Sequence, residues 1–407
     1  MVNTEEPDPR PEAGSPSAFL TGYCDTQIWG MAGADRAERM AKRLGCEEIV
    51  IAGEPAESDG MILYLRTDAI VDQGLLEGLQ RNHNAVLVAE HESGFVAVAG
   101  YAASWKWQEV TKFLTSDTVV LRDITFAGLK IVRTEDIAGS YDAALRKRAQ
   151  PVAALLTDDN ARALEWESFK ASYKGVTDVV TKYLWPHIAF PITQVLARIK
   201  VSPNQVTTAG LILSVLAFIL FWNGHFISGL LCAWVMALLD TVDGKLARVT
   251  LTSSKWGNVF DHGIDLVAPP LWWLAWWHGL PDDGNPWIVW SVWVVLGGHL
   301  AGKLLEQAFI STFGFKIHMW QKFDSTFRLI TARRNPNVIV LTAGALVGHP
   351  QAGYIVLAFW IVISFLVHAA RYVQAFLLRK GGVTITSWFE APQAPPPSPA
   401  PALSTDD

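Results

Sequence analysis

The chain has 407 residues, 50% of them hydrophobic, with 18 tryptophans and a net charge of -6. That length allows two or three domains, and the tryptophan-rich apolar composition leans toward a membrane class, while the acidic balance gives no support for a nucleic-acid partner. Cys24, Cys46 and Cys232 have no metal-ligand spacing and cannot build a disulfide framework, so a reducing compartment is expected.

Residues 1–18 are acidic and proline-rich, with neither a basic nor an apolar leader segment, and read as a disordered lead. From 19 to 150, short apolar runs alternate with helical patterns, the mark of an α/β layer domain. Strands are expected at 47–53, 61–66, 85–90 and 94–100, and helices at 34–45, 73–82 and 104–114. A linker with mixed charge spans 151–200. Its helical stretch carries Trp166, Phe169 and Tyr173 and is followed by apolar residues beside Lys182, Arg198 and Lys200. Either a helix at the membrane surface or one packed on the α/β domain satisfies that pattern.

Composition changes from Val206 onward. Six apolar segments follow, at 207–222, 229–240, 266–277, 286–302, 338–348 and 353–370, and predict an all-α polytopic membrane domain over 201–380. Lys and Arg cluster at 198–200, 245–255, 316–334 and 371–380, whereas the intervening turns lack them. The positive-inside asymmetry therefore places both termini in the cytoplasm. Trp272, Trp273, Trp276 and Trp277 read as belt residues near the opposite surface, and the proline-rich stretch 381–407 as a disordered tail.

Between the second and third apolar segments lies DTVDGKLARVTLTSSKWGNVFDHGID, Asp240 to Asp265. Asp240 and Asp243 are three apart and Asp261 and Asp265 four apart, so each pair projects from one face of a helix. Four carboxylates converging between two helices repel one another unless cations intervene, and oxygen ligands in that number suit Mg²⁺ or Mn²⁺. Two such ions flanked by Arg248 would hold a pyrophosphate. Gly244 and Ala247 leave room for a ligand beside the carboxylates.

Asp240, Asp243, Gly244, Ala247, Arg248, Gly257, Asp261 and Asp265 match the signature of the CDP-alcohol phosphatidyltransferase family, which the segment closely resembles. The resemblance implies an inner-membrane, multi-pass enzyme, expected as a homodimer. It would transfer a substituted phosphate from a CDP-linked donor to an alcohol or lipid acceptor and release CMP. By the same resemblance Asp240, Asp243, Asp261 and Asp265 bind two divalent ions, Asp265 takes the acceptor's proton, and Gly257 belongs to the substrate site. The stretch SPNQVTTAG is similar to a Pro-Asn-x-x-Thr pattern of the family, in which Asn204 and Thr207 either cap the first span or face the nucleotide. Arg333 and Arg334 either hold the phosphate of the acceptor or serve as positive-inside anchors. His262 adjoins a ligand and reads as a neighbour of the site.

The strand and helix order of 19–150 resembles a Rossmann-like nucleotidyltransferase-like domain fused to some of these enzymes, as in bifunctional inositol-phosphate cytidylyltransferases. Asp68 stands where such domains bind metal, but GYCDTQIWGMAG supplies neither a Gly-rich loop nor a cation for a triphosphate, so a degenerate domain is expected. Two other classes also use acidic residues within apolar helices: an intramembrane prenyltransferase with Asp-bound magnesium diphosphate, and a non-catalytic scaffold or transporter.

Overall fold

The computed structural model describes residues 17–51, 60–137, 141–142, 147–148 and 151–389. Six strands form one mixed sheet: β1 (Ser17–Thr21), β2 (Ile49–Ile51), β3 (Met61–Arg66), β4 (Ala85–His91), β5 (Gly94–Ala103) and β6 (Lys130–Arg133), in the order β2-β1-β3-β5-β4-β6. β1 runs parallel to both its neighbours, β5 runs antiparallel to β3 and β4, and β6 is parallel to β4. Side chains alternate across the sheet, as the two-residue period of a strand requires. Leu20, Leu63, Leu65 and Leu87 point to one face, where α1 (Gly33–Arg43) and α2 (Gln73–Leu79) bury Met40, Leu75 and Leu76. Phe19, Ile62, Tyr64 and Val86 point to the other, against Val110 and Leu114 of α3 (Trp107–Leu114).

The expected α/β layer is present, with some elements in different places. β1 starts inside the expected lead, and β6 had no apolar run long enough to announce it. Residues 52–53 of the first expected strand lie outside the described residues, as do 1–16 and 390–407. The α/β unit also extends past 150: Ala153–Leu155 pairs with Ala69–Val71.

Beyond it, α4 (Ala161–Ala171) and α5 (Trp185–Arg198) cross the back of the domain. Packing on the α/β domain accounts for α4. The Trp29 backbone N–H donates to Glu165 Oε1 at 2.7 Å, its indole N–H donates to Ser168 Oγ at 3.0 Å, and Trp166, Phe169 and Phe190 surround it.

Six helices cover the six apolar segments: α6 (Pro203–Trp222), α7 (Phe226–Val249), α8 (Lys255–Gly279), α9 (Pro286–Phe313), α10 (Arg334–Leu346) and α11 (Pro350–Lys380). Four of them, α6, α7, α9 and α11, are long and apolar enough to cross a membrane. α10, with 13 residues, rises only about 20 Å. Its close crossing with α11 needs small residues, since a Cβ on Gly344 would meet the Gly353 Cα at 2.6 Å.

Three of the four tryptophans expected as a belt are core residues, and Trp277 is half-buried against the same core. Trp272, Trp273 and Trp276 are buried between α6, α7, α9 and α11. The indole N–H of Trp272 donates to the Ser214 carbonyl at 3.0 Å and that of Trp276 to the Pro350 carbonyl at 3.3 Å, which removes the cost of burying them. Residues 385–389, expected within a disordered tail, instead dock: Ile385 packs beside Phe309 and Trp320, Ser387 is buried, and Trp388 Nε1 donates to Ser325 Oγ at 2.9 Å.

Candidate functional site

The helix α7 ends at Val249 and α8 begins at Lys255, capped by Ser254, whose Oγ accepts from the Gly257 N–H at 3.0 Å. The intervening turn is as expected, and it passes through Leu251 with φ of +57°. Leu251 packs against the core of the α/β domain, while Arg36 and Arg39 of α1 donate to the Val249 and Thr250 carbonyls at 2.9 and 2.8 Å. Those carbonyls end a helix and have no intrahelical donor, so a guanidinium is their natural partner. The α/β domain thus grips the turn that joins the two acidic helices.

All four aspartates face one another. The carboxyl groups of Asp261 and Asp265 both lie within hydrogen-bonding reach of Asp240. Arg334, at the start of α10, bridges two of the set, pairing with Asp265 and, at 2.5 Å, with Asp240. Asp243 is buried, its Oδ2 accepting from Thr207 Oγ1 at 2.6 Å and its Oδ1 from the Gly244 N–H at 2.5 Å. Among the described residues neither Asp243 nor Asp261 is ion-paired with a lysine or arginine, and no three His, Cys, Asp or Glu side chains stand as a ready ion cage.

The remaining expected residues separate into two groups. Thr207 reaches the carboxylates, but neither it nor Asn204 caps α6: Ser202 does, in a capping box with Gln205. Asn204 stands beside Gly257, where an added Cβ would meet its Oδ1 at 3.0 Å. The space at Gly244 is bordered by Arg248, whose Nη2 would lie 3.0 Å from such a Cβ, so the glycine makes room for the guanidinium. The Ala247 carbonyl accepts from the Thr252 N–H at 2.9 Å and helps shape the turn. Arg333 turns away from the aspartates to Glu306 and lies 3.1 Å from His318 Nε2. His262 contacts its own helix through the Asn258 carbonyl at 2.9 Å.

A cavity of about 570 Å³ opens beside the aspartates, a size suited to a nucleotide-like ligand, and Asp243, Asp261, Asn204, Thr207 and Gly257 lie outside its lining. Asp240, Asp265, Arg248 and Arg334 line one part. Lys303, Lys316, Arg328 and Arg333 line another together with Glu306 and His318, four cations against one carboxylate. His318 is held below its ordinary range by burial, opposed by Glu306, so it is neutral at pH 7. Sequence reading missed this basic end, although Lys303 and Glu306 inside an apolar helix were the available sign of it.

Residues 200–332 match the family described as CDP-alcohol phosphatidyltransferase. They form a CDP-alcohol phosphatidyltransferase domain. The chain is 27% identical over 179 residues to cholinephosphotransferase 1 of Xenopus laevis, covering 41% of this chain and 40% of that protein. It is 30% identical over 111 residues to the phosphatidylinositol phosphate synthase of Mycobacteroides abscessus, covering 26% and 50%. The chain thus spans half or less of the length of these curated relatives. A crystal structure of Mycobacterium tuberculosis phosphatidylinositol phosphate synthase with CDP-DAG bound aligns with 51% of this chain and 99% of its own, at 20% identity and a TM-score of 0.38. Within the CDP-alcohol phosphatidyltransferase domain fall all four aspartates and Arg248, whereas Arg334 lies just beyond it.

Proposed function

We propose that the protein is an integral inner-membrane transferase that moves a substituted phosphate from a CDP-linked donor to an alcohol or lipid acceptor and releases CMP. The observation that carries the reading is the cluster of Asp240, Asp243, Asp261 and Asp265, two of which, Asp240 and Asp265, open on the cavity beside Arg248 and Arg334. Four carboxylates, two of which, Asp243 and Asp261, pair with no lysine or arginine among the described residues, are the donor set a hard divalent ion prefers, so the four aspartates would hold two Mg²⁺ or Mn²⁺ ions. When bound, such ions neutralise charge on the donor pyrophosphate.

The chain's own residues do the rest. Thr207 fixes the orientation of Asp243, and Arg248 pairs with a phosphate oxygen of the donor. Asp265 takes the proton of the acceptor hydroxyl. The acceptor oxygen then bonds to the phosphorus distal to cytidine, and the bridging P–O bond breaks, CMP leaving with the electron pair. Asn204 and Gly257 stand near the start of α6 and would border the nucleotide, with Gly244 and Ala247 beside the carboxylates. The basic end of the cavity, with Arg333, fits a phosphate carried by the acceptor, and Arg334 would meet it next to Asp265.

The same reading takes α8 and α10 as spans, giving six, with both termini cytoplasmic and the enzyme a homodimer. It also takes the α/β unit as a degenerate nucleotidyltransferase-like domain, because Arg66 occupies the Asp68 carboxylate through contacts of 2.6 and 3.0 Å. Incubating purified protein with CDP-diacylglycerol and other CDP-alcohols in the presence of membrane extract, read by mass spectrometry, tests the assignment. CMP release with a new phosphodiester supports it. Release of diphosphate from a prenyl donor would instead support a prenyltransferase, and no turnover of any donor a scaffold.

A further inference from the structure

Residues 172–181 precede the matched domain, yet they form part of the cavity wall: Tyr173, Lys174, Thr177, Asp178 and Thr181 line it together with Asp240 and Asp265. This strap is tied at both ends. Lys245 of α7 donates to the Ser172 carbonyl at 2.9 Å, and its ammonium lies 3.3 Å from the centroid of the Tyr173 ring. Farther on, the Val179 N–H donates to the Leu329 carbonyl at 2.9 Å and Asn335 Nδ2 donates to Asp178 Oδ1 at 3.1 Å. Asp178 also accepts from the Val180 and Thr181 N–H groups, which fixes the turn leading into α5.

Inside the strap, the hydroxyl of Tyr173 is buried and meets no hydrogen-bond partner among the described residues. Its ring is set by an edge contact with Phe169, centroids 5.3 Å apart. Burial pushes the phenol above its ordinary range, against the pull of Arg248, so it keeps its proton at neutral pH and can donate. Buried hydroxyls in folded proteins nearly always have a partner. With Lys245 and Arg248 as the charged neighbours, the partner that completes this corner is an anionic oxygen.

We infer that Tyr173 is a donor-binding residue, its hydroxyl donating to an anionic oxygen of the pyrophosphate in a CDP-linked donor, and that the strap 172–181 belongs to the transferase site. The inference rests on the functional reading above and adds to it a contact from outside the matched domain.

The test uses the full chain in detergent with Mg²⁺, and CDP, CMP and cytidine as probes. Tyr173→Phe keeps the ring, its contact with Phe169 and its place under Lys245, and removes only the hydroxyl. CDP should bind about tenfold more weakly, the scale of one hydrogen bond to a charged group, with cytidine affinity and the melting temperature unchanged. Unchanged CDP affinity in this variant overturns the inference while leaving the functional reading standing. A wild-type protein that binds no CDP overturns the functional reading and the inference with it. Should the variant fail to fold, tryptic cleavage of the wild type after the exposed Lys174 decides: CDP should slow it severalfold, and cleavage indifferent to CDP overturns the inference.

Discussion

Thr207 donates its hydroxyl hydrogen to Asp243 Oδ2 at 2.6 Å, a contact between two helices whose residues are 36 positions apart in sequence. Both groups are buried, so the bond holds one carboxylate oxygen in a fixed direction. Partners of this kind around a metal-binding carboxylate are worth roughly 10- to 100-fold in metal affinity. Thr207→Val, which keeps the shape and removes the hydroxyl, should raise the Mg²⁺ concentration for half-maximal CMP release at least about tenfold. Thr207→Ser should restore it. A Mg²⁺ titration unaffected by Thr207→Val would show that the bond is structural alone.

Arg334 pairs with Asp240 on α7 and Asp265 on α8, tying together helices on either side of the turn. A lysine offers one compact ammonium in place of a planar fork and cannot span both carboxylates in the same way. Arg334→Lys should therefore lower CMP release about tenfold or more and reduce the melting temperature, and Arg334→Ala should do both more severely. Activity retained in Arg334→Ala would remove the arginine from the site.

Chelation should act through the aspartates. EDTA is expected to abolish turnover and excess Mg²⁺ or Mn²⁺ to restore it, followed as CMP release. Full turnover in chelator would refute the ion-binding role of the four carboxylates.

Asp68 lies in a bidentate contact with Arg66, and residues 22–35, which include the stretch expected to hold a triphosphate, contain no lysine or arginine. Asp68→Ala should leave transfer from a supplied CDP-alcohol nearly intact, and the protein should make no CDP-alcohol from CTP. Synthesis from CTP that Asp68→Ala stops would give the α/β domain a catalytic role.

Much of this site could be read from local spacing. Asp240 with Asp243, and Asp261 with Asp265, share a helix face because of a 3.6-residue period, and the polar run between them had to turn. The six apolar segments all became helices for the same reason, since an apolar run in such surroundings satisfies its backbone internally. What escaped was set by distant partners. Arg334 meets Asp240 from 94 positions away, and Trp272 is buried because α6 lies beside it, neither of which leaves a periodic trace. Ser202 outcompeted Asn204 as the cap because Gln205 completes a reciprocal pair with it. β1 and β6 are short strands that only their neighbours in the sheet define.

The most direct test of the account separates binding from turnover at two aspartates. Removing a proton acceptor that acts in the transition state lowers turnover without weakening the ground state, whereas removing a ligand of the donor's counter-ion disturbs binding as well. In Mg²⁺, Asp265→Asn, which leaves three carboxylates to hold the ions, should lose far less affinity for the CDP-linked donor than Asp243→Asn while its CMP release falls by roughly 10² or more. Asp243→Asn should lose donor affinity together with turnover. Near-normal turnover in Asp265→Asn, with Asp240→Asn, Asp243→Asn and Asp261→Asn inactive, would contradict the assignment of the proton acceptor and direct attention to His262.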